Sequence, residues 1–561
     1  MFNIFRLLLV LIALLNLEGK TINSNGNVKV TKRVLLPQLI LVDPLEKVAP
    51  QQMPSAMTNT EMDVARGEVA SFQLVLHAEN MQVSQVKVNI SDFSGDNGRN
   101  LKNVELGFIG YIKVRNTLTT PGRSYVQFNA DFANQMYPDP ILDTYKPTGF
   151  ANTPIWVQIK IPMNTIPGIY TSIIKVTATI SGKEVSLSQN LKVKVYPVTL
   201  PGSSLWVSNW WSNGPNVKKY FDNDADIIKL IARTMSEAGI NSFLVNSLPL
   251  TSFTYQNGKY DFDFSRVGKI IKTFMDNGVG MRIEGSFLAT RSGGSSQWNS
   301  LFKAYLPKMM NGKIVLQTAE LKDPKVAEFY SQYLPAWIEY LKKNNYLNRF
   351  YQHIADEPID ANVASYNQML SLVKKYAPGL KTIEAVQTDK ISKQLDVIVP
   401  ILDVLKKRYN SFRKMQQEGR EVAFYTCWAP QGEYANRLIE MELIKTRYLP
   451  WLDFKYGLSG YLHWGFNQWS GNPLTEADKV AGDSWIVYPD PGKNKILPSI
   501  RLYAFRDGIA DYQLLKMLAK KNKQLAMEIT ENSIASFTDY NTDLISFRKN
   551  RKQILSALSG D

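Results

Sequence analysis

Hydrophobic and polar residues alternate along short segments from about residue 28 to residue 195. The runs are separated by Gly, Asn, Asp and Pro, and they read FQLVLHA, VSQVKVNI, VELGFIGYIKV, PIWVQIKI, GIYTSIIKVTATI and QNLKVKV. A period of two is typical of strands that bury one face. Strands at this spacing, with almost no helical periodicity, predict an antiparallel β-sandwich. The segment QMYPDPILD, residues 135–143, breaks the pattern and is predicted to lie in a long loop between two strands.

The rhythm changes to strand, helix, strand, helix after YPVTLPG, residues 196–202, which is predicted to be an interdomain linker. Helical periodicity predicts helices over residues 224–238, 265–278 and 325–344. Eight apolar runs predict strands: LWVSNWW, SFLVNSL, MRIEGSFL, RFYQHIADEP, KTIEAVQ, LDVIVPI, VAFYTCWA and GYLHWGFNQW. Eight such units without a Gly-rich nucleotide turn favour a (β/α)8 TIM barrel over an open sheet.

The sequence therefore predicts a multidomain α/β plus β protein. An N-terminal β-sandwich, residues 28–198, precedes a catalytic barrel, residues 203–515, and a C-terminal helical extension, residues 516–561, packs on the barrel. Residues 1–19 are predicted to be a signal peptide, because Arg6 precedes an uncharged run that is too short to span a membrane. The alternative is an apolar strand of the first domain. We expect a secreted or periplasmic protein with no integral membrane span.

Composition narrows the choice of partners and cofactors. The chain has 561 residues, 44% of them hydrophobic and 20% charged, and a formal charge of +15. Lys and Arg are spread along the chain without a nucleic-acid motif, so no nucleic-acid partner is predicted. The single cysteine, Cys427, excludes an intramolecular disulfide. The histidines His77, His353 and His463 form no H-x-x-x-H pair, so we predict no metal and no organic cofactor.

Polar and aromatic residues are concentrated at the ends of the predicted barrel strands. Because the carboxyl ends of barrel strands meet at one mouth, these residues are expected to become neighbours. Aromatic faces beside amides and carboxylates suit sugars. The predicted substrate-binding residues are Asn209, Trp210, Asn246, Glu284, Gln387, Tyr425, Trp428, Trp464, Asn467 and Trp469. Each has a structural alternative: Gln387 could satisfy backbone groups, and Trp206 or Trp211 alone is expected in the core.

The segment HIADEPID, residues 353–360, places Asp356 and Glu357 side by side at the end of a predicted strand. One interpretation is a helix N-cap. Asp360 is expected to fill that role, however, and Pro358 separates the pair from the helix. Paired carboxylates at a barrel mouth split their pKa values, which provides one acid and one anion at neutral pH. Adjacent strand residues face opposite sides, so both can reach the cavity only if the strand ends or bends there.

This arrangement suits glycoside hydrolysis, in which a carboxylic acid protonates the departing oxygen. Two routes remain open for the second role. A carboxylate from another strand, Glu433, could act as nucleophile in a double displacement. Alternatively, the acetamido carbonyl of the substrate attacks while Asp356 holds its N–H group. A different class of protein, a non-catalytic secreted glycan-binding protein, would use the tryptophans for affinity alone.

Several segments together resemble glycoside hydrolase family 123. They are HIADEP, the YPDP segment before it, LHWGFNQW, GDSWIVYPDP and SIRLYAFRDGIADYQLL. The resemblance implies the sandwich and barrel architecture and a retaining, substrate-assisted exo-β-N-acetylgalactosaminidase. It implies that Glu357 is the general acid and later the base, and that Asp356 orients the acetamido group. The implied partner is a glycolipid or oligosaccharide that ends in β-linked N-acetylgalactosamine (GalNAc).

Two further expectations concern segments of this resemblance. The segment around Tyr137 and Asp139 is expected to approach the barrel mouth. In RDGIADY, Arg506 is expected to form a structural ion pair with Asp507 or Asp511.

The absence of a predicted metal has a direct test. Activity should survive incubation with a chelator such as EDTA, because none of the proposed steps needs a Lewis acid. Hydrolysis of an aryl glycoside before and after chelation measures this. Loss of activity that added divalent metal restores would contradict the expectation.

Overall fold

The computed structural model describes residues 20–22, 28–30 and 36–560, except 97, 115–135, 222, 294–296, 311–312, 491 and 493. The predicted signal peptide, residues 1–19, lies outside the described residues.

The N-terminal part contains two packed β-sheets. The first has five antiparallel strands, in spatial order Met136–Leu142, Val104–Lys113, Asn152–Lys160, Val69–His77 and Gln38–Val42. The second has six strands: Glu61–Arg66, Lys183–Thr199, Gly168–Ile180, Phe93–Gly95 and Asn100–Leu101 in order, with Val83–Ile90 also paired to Gly168–Ile180. The pairing of Glu61–Arg66 with Lys183–Thr199 is parallel, and the other pairs are antiparallel. The predicted antiparallel sheets are therefore present.

The two sheets differ in how they are covered. In the six-stranded sheet, Gly168–Ile180 alternates between exposed and buried positions, as the sequence pattern predicts. In the five-stranded sheet, Asn152–Lys160 is buried at every position but the last. One face of this strand packs in the sandwich core through Ile155, and the other places Trp156 in the core shared with the barrel. The five-stranded sheet is thus the middle layer of the molecule.

The predicted loop at residues 135–143 is wrong for residues 136–142, because Met136–Leu142 forms an edge strand. The two prolines in this segment favour a loop, since proline cannot donate a ladder hydrogen bond. An edge strand tolerates proline when the missing N–H would face away from its partner. The register with Val104–Lys113 shifts between Pro138 and Ile141, which accommodates the irregularity.

The C-terminal part is built around a parallel, nearly closed sheet of nine strand segments that is consistent with a TIM barrel. The segments are Trp206–Asn209, Ser242–Val245, Arg282–Gly285, Phe350–Gln352, Lys381–Val386, Val397–Pro400, Glu421–Val422, Phe424–Tyr425 and Gly460–His463. Only Ala423 separates Glu421–Val422 from Phe424–Tyr425, and these two segments form opposite ends of the sheet. A bridge between Ile401 and Tyr425 brings the ends together. Each of the eight predicted strands contains an observed segment.

Helices connect the strands and cover the outside of the sheet. They are Pro215–Lys218, Asp224–Glu237, Ser247–Leu250, Ser265–Asp276, Pro324–Lys343, Val363–Tyr376, Leu402–Lys407, Tyr409–Gln417, Leu443–Arg447 and Leu449–Tyr456. The three helices predicted by periodicity begin and end within about two residues of the predicted bounds. The connection over residues 387–396 contains no helix, which departs from a regular strand–helix alternation.

Two insertions follow strand ends of the barrel. A hairpin of Ser252–Gln256 and Lys259–Asp263 follows the second strand. A three-stranded antiparallel sheet of Ala289–Arg291, Phe302–Met310 and Lys313–Ala319 follows the third. The second insertion therefore starts at the end of the barrel where catalytic residues are expected.

The chain ends in the helices Ile500–Lys521, Lys523–Ser533 and Leu544–Ser559. The first is continuous through residue 515, where the sequence suggests the barrel ends. Arg506 pairs with Asp507 at 2.8 Å, as predicted, whereas Asp511 pairs with Arg447 and Arg551. Among the described residues, no helix combines the length and the apolar character needed to cross a bilayer.

Buried ion pairs join the sandwich to the rest of the molecule. Arg501, on the first C-terminal helix, donates through Nε and Nη2 to the two carboxylate oxygens of Asp139, each at 2.8 Å. The Tyr488 hydroxyl also donates to Asp139. Arg551 pairs with Glu68 of the sandwich at 2.5 Å. Asp139 is thus fully engaged in a structural contact between domains.

Asp139→Ala should destabilise the whole chain by about 3 kcal/mol or more, because it leaves the buried Arg501 without its counter-charge. Urea denaturation followed by fluorescence and by far-UV circular dichroism measures the change. Glu339→Gln, which breaks an exposed pair with Lys342, is the matched control and should change stability by less than about 1 kcal/mol. Equal effects of the two variants would contradict the structural role of Asp139.

Candidate active site

The acidic pair lies just beyond the end of a barrel strand. Phe350–Gln352 ends four residues before Asp356, and Glu357 has a left-handed backbone with φ of 46°. This conformation is costly for a residue with a side chain. It breaks the strand alternation that would send adjacent side chains to opposite faces. Both residues remain partly accessible. The strand therefore ends before the pair, and the backbone turns at Glu357.

Three neighbours hold Glu357 in place. The Tyr425 hydroxyl donates a hydrogen bond to its Oε1. Nη2 of Arg291 donates to its backbone carbonyl at 2.5 Å. Gln387 donates its backbone N–H to the carbonyl of Pro358 at 3.0 Å, and its side chain hydrogen-bonds Glu357. Two of the predicted substrate-binding residues, Tyr425 and Gln387, therefore contact the proposed general acid.

The two carboxyl groups have strongly perturbed proton affinities. Burial, and then repulsion by Glu357 and Glu384, raise the pKa of Asp356 to about 8. Burial also raises the pKa of Glu357, although hydrogen bonds from Tyr425 and Gln387 and the charge of Arg291 oppose this. Two close carboxyl groups of this kind titrate as a pair. At neutral pH the pair therefore retains one proton, which is the state that acid–base catalysis requires.

Arg291 lies beside the pair, although no pattern in the sequence marks it as a site residue. Its guanidinium stacks on the ring of Trp298 at 3.9 Å and donates from Nε to the Trp298 carbonyl at 3.1 Å. It opposes the negative charge of both Asp356 and Glu357. Arg291 belongs to the inserted three-stranded sheet and not to a barrel strand end. A search restricted to strand ends therefore misses it.

Trp464 is held by a further acidic residue, Asp483. The indole Nε1 donates to Asp483 Oδ1 at 2.8 Å. Burial, and then the nearby Asp478, raise the pKa of Asp483 to about 7, and Glu357 adds to this effect. Trp464, Trp210 and Tyr425 all pack on the cluster of side chains inside the barrel. Asp483 lies in the segment GDSWIVYPDP. Nothing in the sequence shows that Asp483, and not the nearby Asp478, contacts Trp464.

Two predicted binding residues hydrogen-bond behind the pair. Trp210 donates its Nε1–H to Glu284 Oε2 at 2.9 Å. Glu284 is completely buried and also contacts His353 at 3.0 Å. The structure therefore connects both residues to His353, whose charge acts on Asp356.

Three other predicted binding residues are buried in structural contacts. Asn209 accepts a hydrogen bond from Arg437 at 2.7 Å. Asn467 both accepts from and donates to the backbone of Ser212, each at 2.8 Å. Trp469 donates to the Val487 carbonyl and packs in the outer core between sheet and helices. The structure does not bring these side chains into contact with the acidic pair.

The remaining candidates lie at the surface. Asn246 and Trp428 are exposed, Trp428 to 40%. Glu433, the candidate nucleophile for double displacement, is exposed as well. No hydrogen bond among the described residues joins Glu433 to Asp356 or Glu357. Their roles as binding residues or nucleophile remain predictions from sequence position.

The prediction that Asp360 caps the following helix is wrong. The residue before Val363–Tyr376 is Asn362, and Asp360 instead pairs with Arg408 at 3.0 Å and with Lys390 at 3.1 Å. The acidic pair does not cap that helix either, so the N-cap interpretation is still rejected, because Asn362 and not Asp360 holds that position.

Among the residues that the structure describes, no group of three His, Cys, Asp or Glu side chains is arranged to hold a metal ion. The neighbours of Asp356 and Glu357 include hydrogen-bond donors and the cations Arg291 and His353.

Comparisons with known proteins agree with the fold. Residues 207–518 match the family model "Glycoside hydrolase 123, catalytic domain", and residues 45–178 match "Glycoside hydrolase 123 N-terminal domain". A family 123 glycoside hydrolase from Clostridium perfringens, studied for the details of glycolipid glycan hydrolysis, has a TM-score of 0.69 at 15% identity. The match covers 94% of this chain and 97% of that one. At this identity the likeness shows a common fold.

Another solved structure is a more distant match. A β-D-glucuronidase from Dictyoglomus thermophilum is 11% identical over 84% of this chain and 68% of its own, with a TM-score of 0.33. No curated protein matches the chain significantly.

The raised pKa of Asp356 predicts that the site is held at a cost in stability. A carboxyl group with a raised pKa in the folded state destabilises the fold increasingly as the pH rises from about 4 to about 8. Asp356→Asn should therefore raise the melting temperature at pH 8, by roughly 1–3 °C, and change it little at pH 4. Calorimetry across this range measures the difference.

Asp276→Asn is the control, because Asp276 forms an exposed pair with Lys272 and should show no such trend. A melting temperature of Asp356→Asn that is lower than wild type at pH 8 would contradict the prediction.

Proposed function

We propose, since the chain belongs to glycoside hydrolase family 123, that this glycosidase removes terminal β-linked GalNAc with retention of configuration. The acetamido group of the substrate would act as the nucleophile. The observation that carries the proposal is the left-handed turn at Glu357, which leaves two adjacent carboxyl groups partly accessible at the same strand end. Because the substrate supplies the nucleophile, this mechanism needs no second carboxylate at a fixed distance on another strand.

In the first step, Glu357 gives its proton to the glycosidic oxygen as the bond from that oxygen to C1 breaks. The acetamido carbonyl oxygen forms the new bond to C1, which yields an oxazolinium ion and releases the aglycone alcohol. The ionised Asp356 accepts a hydrogen bond from the acetamido N–H and stabilises the positive charge that develops there. The electron pair of the broken bond stays with the protonated leaving oxygen.

In the second step, a water molecule attacks C1 and the bond to the acetamido oxygen breaks. The Glu357 carboxylate takes the proton of the water, so the residue that acted as acid now acts as base. The acetamido group is restored, and two inversions at C1 give net retention. Glu357 ends the cycle protonated, as it began.

The single proton of the pair fits these roles once substrate is bound. An amide N–H can only donate, so its approach to Asp356 favours the ionised form of that carboxyl group. The proton then resides on Glu357, which faces the leaving oxygen. Arg291 opposes the accumulation of negative charge on the pair.

Two aromatic side chains of the site suit a sugar ligand. Trp464 is fixed by Asp483, and Tyr425 is fixed by Glu357, so both rings are held before a ligand arrives. The Clostridium perfringens relative is described in terms of glycolipid glycan hydrolysis. We extend a glycolipid or oligosaccharide substrate to this chain as part of the proposal, together with a (β/α)8 description of the barrel.

Hydrolysis of aryl β-GalNAc, β-GlcNAc and β-galactoside should distinguish the routes. We expect cleavage of acetamido sugars only, with β-GalNAc preferred. Asp356→Asn and Glu357→Gln should each lower kcat/KM by about 10²–10⁴-fold. Glu433→Gln, the matched acidic control, should stay within about twofold, because its side chain is exposed.

Cleavage of the plain galactoside with Glu433 essential would establish double displacement instead. A preference for β-GlcNAc would keep the mechanism and change the sugar. Sugar binding without turnover of any substrate would identify a glycan-binding protein.

A further inference from the structure

A series of hydrogen-bonded polar side chains leads from Trp210 to the backbone before the acidic pair. Trp210 Nε1 donates to Glu284 Oε2, which lies 3.0 Å from Nε2 of His353. Nδ1 of His353 lies 2.8 Å from Glu384 Oε1. Glu284, His353 and Glu384 are completely buried. Burying three ionisable groups is costly unless they are paired with one another, as they are here. Such clusters are common at functional sites.

The contacts define the protonation of the cluster. Both ring nitrogens of His353 face carboxylate oxygens, and a neutral imidazole could donate to only one of them. This geometry favours an imidazolium at His353. Burial alone would lower its pKa, but Glu384 and Glu284 outweigh that effect and raise the pKa to about 10. The cluster then carries two negative charges and one positive charge.

Glu384 also supports the backbone that leads to the pair. Its Oε2 accepts the N–H of Ile354 at 2.7 Å and that of Ala355 at 3.0 Å. These are the two residues directly before Asp356. The strand Phe350–Gln352 has already ended, so no sheet neighbour satisfies these amides. A side chain from the adjacent strand, Lys381–Val386, takes that role.

We propose that Glu384, held in place by His353 and Glu284, is a positioning residue that fixes the backbone before Asp356 and Glu357 and places a negative charge beside the pair. The inference deepens the proposed function and rests on it for its kinetic consequences. Its structural part stands independently, because it concerns hydrogen bonds that exist without substrate.

The charges around the pair separate these two effects. Asp356 faces Glu357, Glu384, Arg291 and His353. Around Glu357 the charged and polar groups are Tyr425, Gln387, Arg291 and Asp403, with Cys427 and Asp483 close by. A glutamine at position 384 could still accept from both amides through its carbonyl oxygen, but it would bring no negative charge. Its side-chain NH2 group would then face Nδ1 of His353, which removes one of the two acceptors that favour the charged ring. Glu384→Gln therefore tests the combined charge of Glu384 and His353, in which Glu384 has the larger effect on Asp356, with little change in the backbone support.

The protonation of His353 can be measured without any substrate. The chain has three histidines, His77, His353 and His463, so spectra of ¹⁵N-histidine-labelled protein are simple. We expect two slowly exchanging imidazole N–H signals from His353 at pH 7.5, absent in His353→Gln. His463, whose pKa is lowered by burial and by Arg437 and Arg501, should show a neutral ring at that pH. A neutral His353 at pH 7.5 would overturn the proposal.

The kinetic test compares pH profiles of kcat/KM on the aryl glycoside that wild type prefers. Loss of the Glu384 charge removes a repulsion that raises the pKa of Asp356. Both limbs of the profile of Glu384→Gln should move to lower pH by about 1 unit. Glu68→Gln is the matched control, because Glu68 is a buried carboxylate paired with Arg551 in the sandwich interface. It should lower stability without moving the profile.

The outcomes separate the two proposals. A loss of activity in Glu384→Gln that is uniform across pH, with an unmoved profile, would reduce Glu384 to a structural residue and overturn the inference. If wild type hydrolyses no sugar, the proposed function fails, and the histidine spectra still decide whether the His353 imidazolium supports the pair. If Glu384→Gln does not fold, those wild-type spectra remain decisive.

Discussion

The placement of negative charge inside the barrel is the constraint on which the site depends. Asp356, Glu357, Glu284 and Glu384 lie close together, and the protein balances them with His353, Arg291 and one retained proton. Each cation is itself fixed, His353 by two carboxylates and Arg291 by stacking on Trp298. This balance keeps the pair in the singly protonated state without a metal ion in the proposed mechanism. It also explains why aromatic donors such as Trp210 and Tyr425 end on carboxylates.

The sequence located the acidic pair and the strands that present it, because parallel strand ends and apolar runs are local signals. The sequence did not predict contacts between segments that are distant along the chain. Arg291 reaches the pair from an insertion, and Glu384 lies in the middle of a predicted strand, where a carboxylate gives no sign of its partner. Asn467 and Trp469 are residue types that commonly bind sugars, yet their polar atoms form hydrogen bonds with the backbone of Ser212 and Val487. Position at a strand end therefore identifies neighbours but not the direction of each side chain.

The fold followed the hydrophobic pattern more closely than the site did. The strands were found because periodicity depends on burial, and burial is averaged over many residues. The error at Met136–Leu142 arose because its two prolines read locally as a loop, whereas pairing at a sheet edge permits them. The N-cap at Asn362 was missed because aspartate and asparagine are equally good caps by residue type, and the contacts that Asp360 makes instead, with Arg408 and Lys390, are not visible in the sequence.

The buried pair between Asp139 and Arg501 has a consequence for how such a protein can evolve. Its two members come from an edge strand of the sandwich and a helix that follows the barrel, so neither domain encodes the contact alone. Replacing the sandwich by gene recombination would leave Arg501 buried without a counter-charge, unless the new domain supplied a carboxylate at the position of Asp139. The two domains are therefore expected to be inherited as a unit, and shuffling of the sandwich among other barrels should be rare.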